Sequence, residues 1–336
     1  MRTARIQALS SFLPEAVLTN DDLAALYPDW SADKILEKTG VRERRIAAPG
    51  ETAADLAYAA ARRLFEQPDV DPASVDFLLF CTQAPDYILP TTACLLQDRL
   101  GLRQDCGALD FNLGCSGFVY GLALAKGLIE TGAASRVLLL TADTYSRYIH
   151  PGDKSVRTLF GDGAAATLIV AAEADHAMIG PFVFGTDGRG GPNLIVPTGG
   201  ARRARSADTA EETTDDSGNV RTPDDLYMNG AAIVGFTLKA VPEAIGRLLA
   251  EAKLTLEDID LFVFHQASAF ILERLRRKVG IPPERFVVAF EDWGNTVSST
   301  IPIALERQVG QPSGTRLAML VGFGVGYSWA AACVRY

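Results

Sequence analysis

The chain has 336 residues, 48% of them hydrophobic and 22% charged, a balance that supports a large buried core. Its net charge of −9 opposes broad binding to nucleic acid or to an anionic membrane face. No uncharged apolar run reaches the roughly 18 residues of a membrane helix, and no apolar signal segment follows Met1, so the expected compartment is the cytoplasm.

In chain order, apolar spacing predicts a helix over 56–67, a buried strand at FLLF (77–80) and a second helix ending near Gly101. The segment ALDFNL leads into GCSG, which holds Cys115, and a helix follows with Phe118, Leu122, Ala125, Leu128 and Ile129 on one face. A strand at VLLL (137–140), a structural turn at FGDG (160–163) and a strand over 165–170 come next. Residues 199–225 are rich in Asp, Glu, Thr, Arg and Gly without apolar periodicity, and read as an exposed, mobile insertion. Beyond it lie a helix over 238–253, the strand LFVF (261–264) ending at His265, and a helix ending near Gly280. A strand before WGNT, a helix over 298–307, the strand LAML (317–320) and the glycine-rich turn GFGVGYSW (322–329) complete the chain.

The chain resembles itself. DFLLFCTQA at 76–84 matches DLFVFHQAS at 260–268, ALDFNLGCSGFV at 108–119 matches VAFEDWGNTVSS at 288–299, and RVLLLTADTY at 136–145 matches RLAMLVGFGV at 316–325. The register sets Cys115 opposite Asn295 and Cys81 opposite His265. Two α/β halves, 1–175 and 176–336, are therefore expected to pack as one layered body, with ligand groups gathering where strands end between them.

Three residues stand at such ends. A cysteine near a helix N-terminus meets unpaired N–H groups and a dipole that favour a thiolate, and can accept an acyl group. His265 ends a strand, where one ring nitrogen can be held while the other faces a cavity. Asn295 sits in a turn. Together Cys115, His265 and Asn295 offer a nucleophile and two donors suited to charge on a thioester oxygen. The five cysteines, Cys81, Cys94, Cys106, Cys115 and Cys333, show no metal-ligand spacing and should remain thiols, so neither a metal nor another cofactor is expected.

GCSGFVYGL, FVFHQAS, WGNTVSSTIP, GFGVGYSWAA and GVRERRIAAPGET resemble the motifs of the β-ketoacyl-acyl carrier protein synthase III family, over nearly the whole chain except the insertion. The resemblance implies a thiolase fold, in αβαβα layers, and a homodimer. It also implies decarboxylative condensation: Cys115 takes an acyl group from an acyl-CoA or acyl-carrier-protein thioester. A malonyl thioester then loses carbon dioxide, His265 and Asn295 stabilise the enolate, and a 3-oxoacyl thioester leaves. The oxyanion of the acyl step would meet the backbone N–H groups of Cys115 and Val325, the latter standing where the family has glycine. Lys34 and Lys154 fall where initiating members carry a tryptophan and an arginine that stack on the coenzyme A adenine, which argues against direct use of acetyl-CoA. Leu89 falls where a phenylalanine closes the partner's acyl pocket, leaving room for a longer or branched chain. Arg274, Arg276, Arg277 and Lys278 form a basic cluster after His265 that could dock an acidic carrier protein. Two other readings stay open: transfer of the Cys115-bound acyl group to an alcohol or amine, and a non-catalytic subunit supporting an active paralogue.

Overall fold

The structure, a computed structural model, describes residues 1–336. Two sheets form its frame. The first has five strands in the order Arg2–Phe12, Gly163–Glu173, Arg136–Asp143, Phe77–Cys81, Gly107–Phe111. The second has four, in the order Leu261–Phe264, Leu317–Gly324, Ser328–Arg335, Ile179–Thr186. The first sheet has two parallel and two antiparallel pairings, the second one parallel and two antiparallel. The runs read as FLLF, VLLL, LFVF and LAML occupy these positions, because a strand covered on both faces must be apolar on both.

Helices fill the space between the sheets and cover their outer faces. Gly117–Glu130 packs against strands of both sheets, and the short Thr300–Ala304 helix touches strands of both as well. Phe118, Val119, Leu122, Ala125 and Ile129 are buried in the central core cluster, which joins the two sheets. Ala53–Phe65 covers the outside of the first sheet, and Gly230–Ala252 covers the second. The result is the five-layer αβαβα arrangement of the thiolase fold. Close approach at the centre requires glycine: a Cβ on Gly322 would lie 2.6 Å from the Cα of Ser116.

Three local expectations are corrected. The second sheet has no strand matching Gly107–Phe111; residues 286–289 make only an isolated bridge, Phe262 to Phe286. The buried side chain of Gln266 takes the hydrogen bonds instead: its Oε1 accepts from Ala289 N–H at 2.7 Å and its Nε2 donates to Val287 C=O at 3.3 Å. The single helix expected over 298–307 is instead a 3-10 turn at Val297–Ser299, an α-turn at Thr300–Ala304 and a π-turn at Leu305–Val309. Pro302 removes one backbone donor there, and the run ends at Gly310 with φ +92°.

The insertion is exposed, as expected, but it is not a plain loop: it contains a small hairpin, Thr213–Thr214 against Val220–Arg221, docked on the body. Arg221 bridges Asp215 at 2.6 Å and the buried Asp153 at 2.9 Å, and Val220 N–H donates to Gly152 C=O. Asp215 accepts five hydrogen bonds across the turn, which holds its carboxyl well below the usual range despite some desolvation. Side-chain hydrogen bonds to neighbouring backbone replace apolar periodicity as the ordering force.

Candidate active site

One cavity of about 340 Å³ reaches from the molecular centre to the surface, and Cys115, His265 and Asn295 all line it. Each comes from the end of a different element. Cys115 stands one residue before Ser116, the cap of the central helix Gly117–Glu130. His265 continues the strand Leu261–Phe264, its N–H donating to Val321 C=O at 2.8 Å. Asn295 follows Gly294, whose φ of +76° turns the chain back toward the interior.

The cysteine is more buried than the sequence implies. Desolvation, and then the nearby Asp143 carboxyl, push its thiol up to about 12, while the N–H groups of Cys115 and Val325 pull the other way. The expected thiolate is thus corrected: at 4% exposure, burial outweighs the helix terminus and the resting group is the thiol. Ser116 and Ser328 share a 2.6 Å hydroxyl hydrogen bond that ties this loop to the second sheet. A Cβ on Gly324 would fall 2.8 Å from the Cys115 sulfur, so that glycine leaves the sulfur its room.

Burial alone lowers the His265 imidazole to about 3, so it is neutral at physiological pH. Its Nδ1 lies 2.7 Å from Thr300 Oγ1, and its ring meets Phe323 edge-on at 5.4 Å. Asn295 Oδ1 accepts from Val297 N–H at 2.9 Å, which turns Nδ2 toward His265 Nε2, 3.5 Å away. Asp143 lies buried near Cys115, behind the cavity lining. It accepts from Gln83 N–H at 2.8 Å and from the N–H and hydroxyl of Ser298, and desolvation raises it to about 7. Thr300, Ser298 and Asp143 were not singled out by sequence reasoning, because their roles depend on which strand and turn ends converge.

The other expected site residues lie further out. Val325 follows the strand Leu317–Gly324, and its N–H faces the Cys115 sulfur. Leu89 is 78% exposed in a loop beside Ile88 and Tyr87, and does not line this chain's cavity. Of the basic cluster, Arg274 lies over the Phe270 ring at 4.4 Å and Lys278 donates to Leu238 C=O. Arg276 and Arg277 both pair with Glu273, which neutralises part of the patch. Phe270 belongs both to this patch and to the cavity wall, so the basic helix stands beside the opening. Lys34 donates to Asp29 C=O and lies 5.6 Å over the Trp30 ring, while Lys38 lies 4.8 Å from it. Trp30 itself lines the cavity, an aromatic wall that sequence reasoning missed because it stands four residues before Lys34.

Fold and site together define a thiolase-fold protein with a buried cysteine, histidine and asparagine around one thioester-sized cavity. Family models described as 3-oxoacyl-[acyl-carrier-protein (ACP)] synthase III and its C-terminal part match residues 109–188 and 249–336. The chain is 38% identical over 342 residues to a β-ketoacyl-[acyl-carrier-protein] synthase III of Alkalilimnicola ehrlichii, covering 100% of both. A crystal structure of a 3-oxoacyl-(acyl-carrier-protein) synthase III superimposes with a TM-score of 0.98 at 62% identity, over 99% of this chain and 100% of the other. The 3-oxoacyl-(acyl-carrier protein) synthase of Burkholderia xenovorans LB400 gives 0.90 at 38%, over 99% and 95%. The chain belongs to the β-ketoacyl-[acyl-carrier-protein] synthase III family.

Proposed function

We propose that the protein joins an acyl group carried on Cys115 to a malonyl thioester with loss of carbon dioxide, giving a 3-oxoacyl thioester. The observation that carries this reading is the shared cavity, in which a sulfur nucleophile faces two neutral side chains able to donate to one oxygen. The Cys115 sulfur attacks the donor thioester, the N–H groups of Cys115 and Val325 meet the oxyanion, and the bond to the carrier's sulfur breaks, the carrier leaving as a thiol with the proton that the cysteine gives up. As the malonyl group loses carbon dioxide, negative charge grows on its thioester oxygen, and His265 and Asn295 donate to it. The enolate carbon attacks the acyl-cysteine and the thiolate leaves.

Donors of both kinds, coenzyme A and acyl carrier protein thioesters, fit a cavity lined by Lys38 and Trp30 beside a surface that carries Arg274, Arg277 and Lys278. The proposal includes an acidic carrier protein docking on that basic helix, a cytoplasmic homodimer, and Leu89 of one subunit reaching the acyl site of the other. The halves 1–175 and 176–336 are proposed as the duplicated units. No helix is long and apolar enough to cross a membrane.

Release of carbon dioxide from a malonyl thioester separates condensation from simple acyl transfer. His265→Ala should still become acylated but decarboxylate about 10²–10³-fold more slowly, the cost of losing one preorganised donor. Decarboxylation at the wild-type rate in that variant would remove His265 from the reaction.

A further inference from the structure

A neutral imidazole carries one ring proton, and His265 is of use as a donor only if that proton sits on Nε2, the nitrogen facing Asn295 and the cavity. The ring cannot choose this by itself, since the two neutral tautomers differ little in water and burial removes solvent as an arbiter. The choice falls to whatever holds Nδ1. That partner is Thr300 Oγ1 at 2.7 Å, a buried hydroxyl at the first residue of the Thr300–Ala304 helix.

Thr300 has one proton and two acceptors within reach. Val297 C=O lies 3.2 Å from its oxygen, His265 Nδ1 lies 2.7 Å away. If the hydroxyl gave its proton to Val297, Nδ1 would carry the imidazole proton and Nε2 would be bare. The nearer and more basic acceptor is the ring nitrogen. The other polar group near Nε2 leaves the choice to Thr300. Asn295 Oδ1 is held by Val297 N–H, so it is the NH₂ of Asn295 that stands 3.5 Å from Nε2. The same NH₂ lies 3.5 Å from Ala267 C=O, which gives it an acceptor when Nε2 carries the ring proton.

We propose that Thr300 is a positioning residue that donates its hydroxyl proton to Nδ1 and so fixes His265 as the Nε2–H tautomer. One turn, residues 295–300, then sets both donors: the N–H of Val297 orients the amide, and the hydroxyl of Thr300 orients the imidazole. No proton leaves Thr300 during the reaction. The inference rests on the decarboxylating role proposed for His265, but the tautomer can be read without any turnover.

The test is ¹⁵N NMR of protein labelled at its three histidines, with His265→Ala used to assign the resonance. In the wild type, Nδ1 of His265 should resonate as a bare nitrogen and Nε2 as a protonated one. Thr300→Val keeps the shape and removes the hydroxyl, and should mix or invert the tautomers. It should lower malonyl decarboxylation about tenfold to 10²-fold while Cys115 acylation changes less than about twofold. Thr300→Ser should restore both the spectrum and the rate. A protonated Nδ1 in the wild type would overturn the proposal even if Thr300→Val fails to fold, and so would a Thr300→Val enzyme that decarboxylates normally. An Nε2–H tautomer beside a His265→Ala enzyme of full activity would instead uphold the tautomer and overturn the catalytic reading.

Discussion

At the residue scale, burial decides the electrostatics of this site more than any single neighbour. His265 lies far below its ordinary value for that reason alone. Its imidazole is uncharged from about pH 5 to 8, so decarboxylation by a Cys115→Ala, Asp143→Asn variant, which lacks the neighbouring carboxyl raised to about 7, should be flat over that range. An imidazole near its unperturbed value, about 6.5, would instead bend the profile there, and such a bend would contradict the burial. Cys115 is shifted the opposite way, because burial disfavours the charged form whichever sign it has. Its alkylation by iodoacetamide should therefore still be climbing at pH 9, where an activated thiolate would have reached a plateau. Space matters as much as charge. Gly324→Ala would set a methyl group within 3 Å of the sulfur and displace it, and about 10²-fold slower acylation is expected from a shift of that size.

At the element scale, the sequence was informative where period and apolarity agree. The buried strand runs and the central helix after Cys115 are each declared by their own residues, and the internal match between 76–145 and 260–325 supplied the two-sheet plan. It was uninformative where a side chain replaces a backbone partner. Nothing in VVAF announces that Gln266, two dozen residues earlier, takes the hydrogen bonds of a missing strand. Likewise the hairpin in the insertion is held by Asp153, Asp215 and Arg221 rather than by apolar spacing, so its order cannot be seen from periodicity. Gln266→Ala would leave Ala289 N–H without its buried partner and loosen the segment leading to Asn295. About 1–3 kcal/mol of stability should be lost, measurable as a lower urea midpoint with an unchanged slope.

At the scale of the whole molecule, the two sheets converge on one cavity because strand ends from both halves meet around the central helix. Cys115, His265 and Asn295 were legible in the sequence, since each sits in a short motif at a strand or helix end. The partners that hold them were not, because Thr300, Ser298 and Asp143 gain their meaning only when 141–145, 265 and 295–300 are brought together. One face of the molecule remains apolar and open, the loop carrying Tyr87, Ile88 and Leu89, with Ile88 96% exposed. Contact between two copies would cover it. Light scattering should give twice the 36.0 kDa chain mass for the wild type and move toward one chain mass for Ile88→Asp. A monomeric wild type would exclude Leu89 from any neighbour's acyl site. The central claim, that Cys115 carries the acyl group, is tested most directly by the intact mass of the protein after exposure to a series of acyl-CoA and acyl-carrier-protein thioesters. The wild type should gain the mass of one acyl group, located on the peptide containing Cys115, and Cys115→Ala should gain none. A wild type that stays unmodified by every donor, or an adduct that survives in Cys115→Ala, would contradict the account.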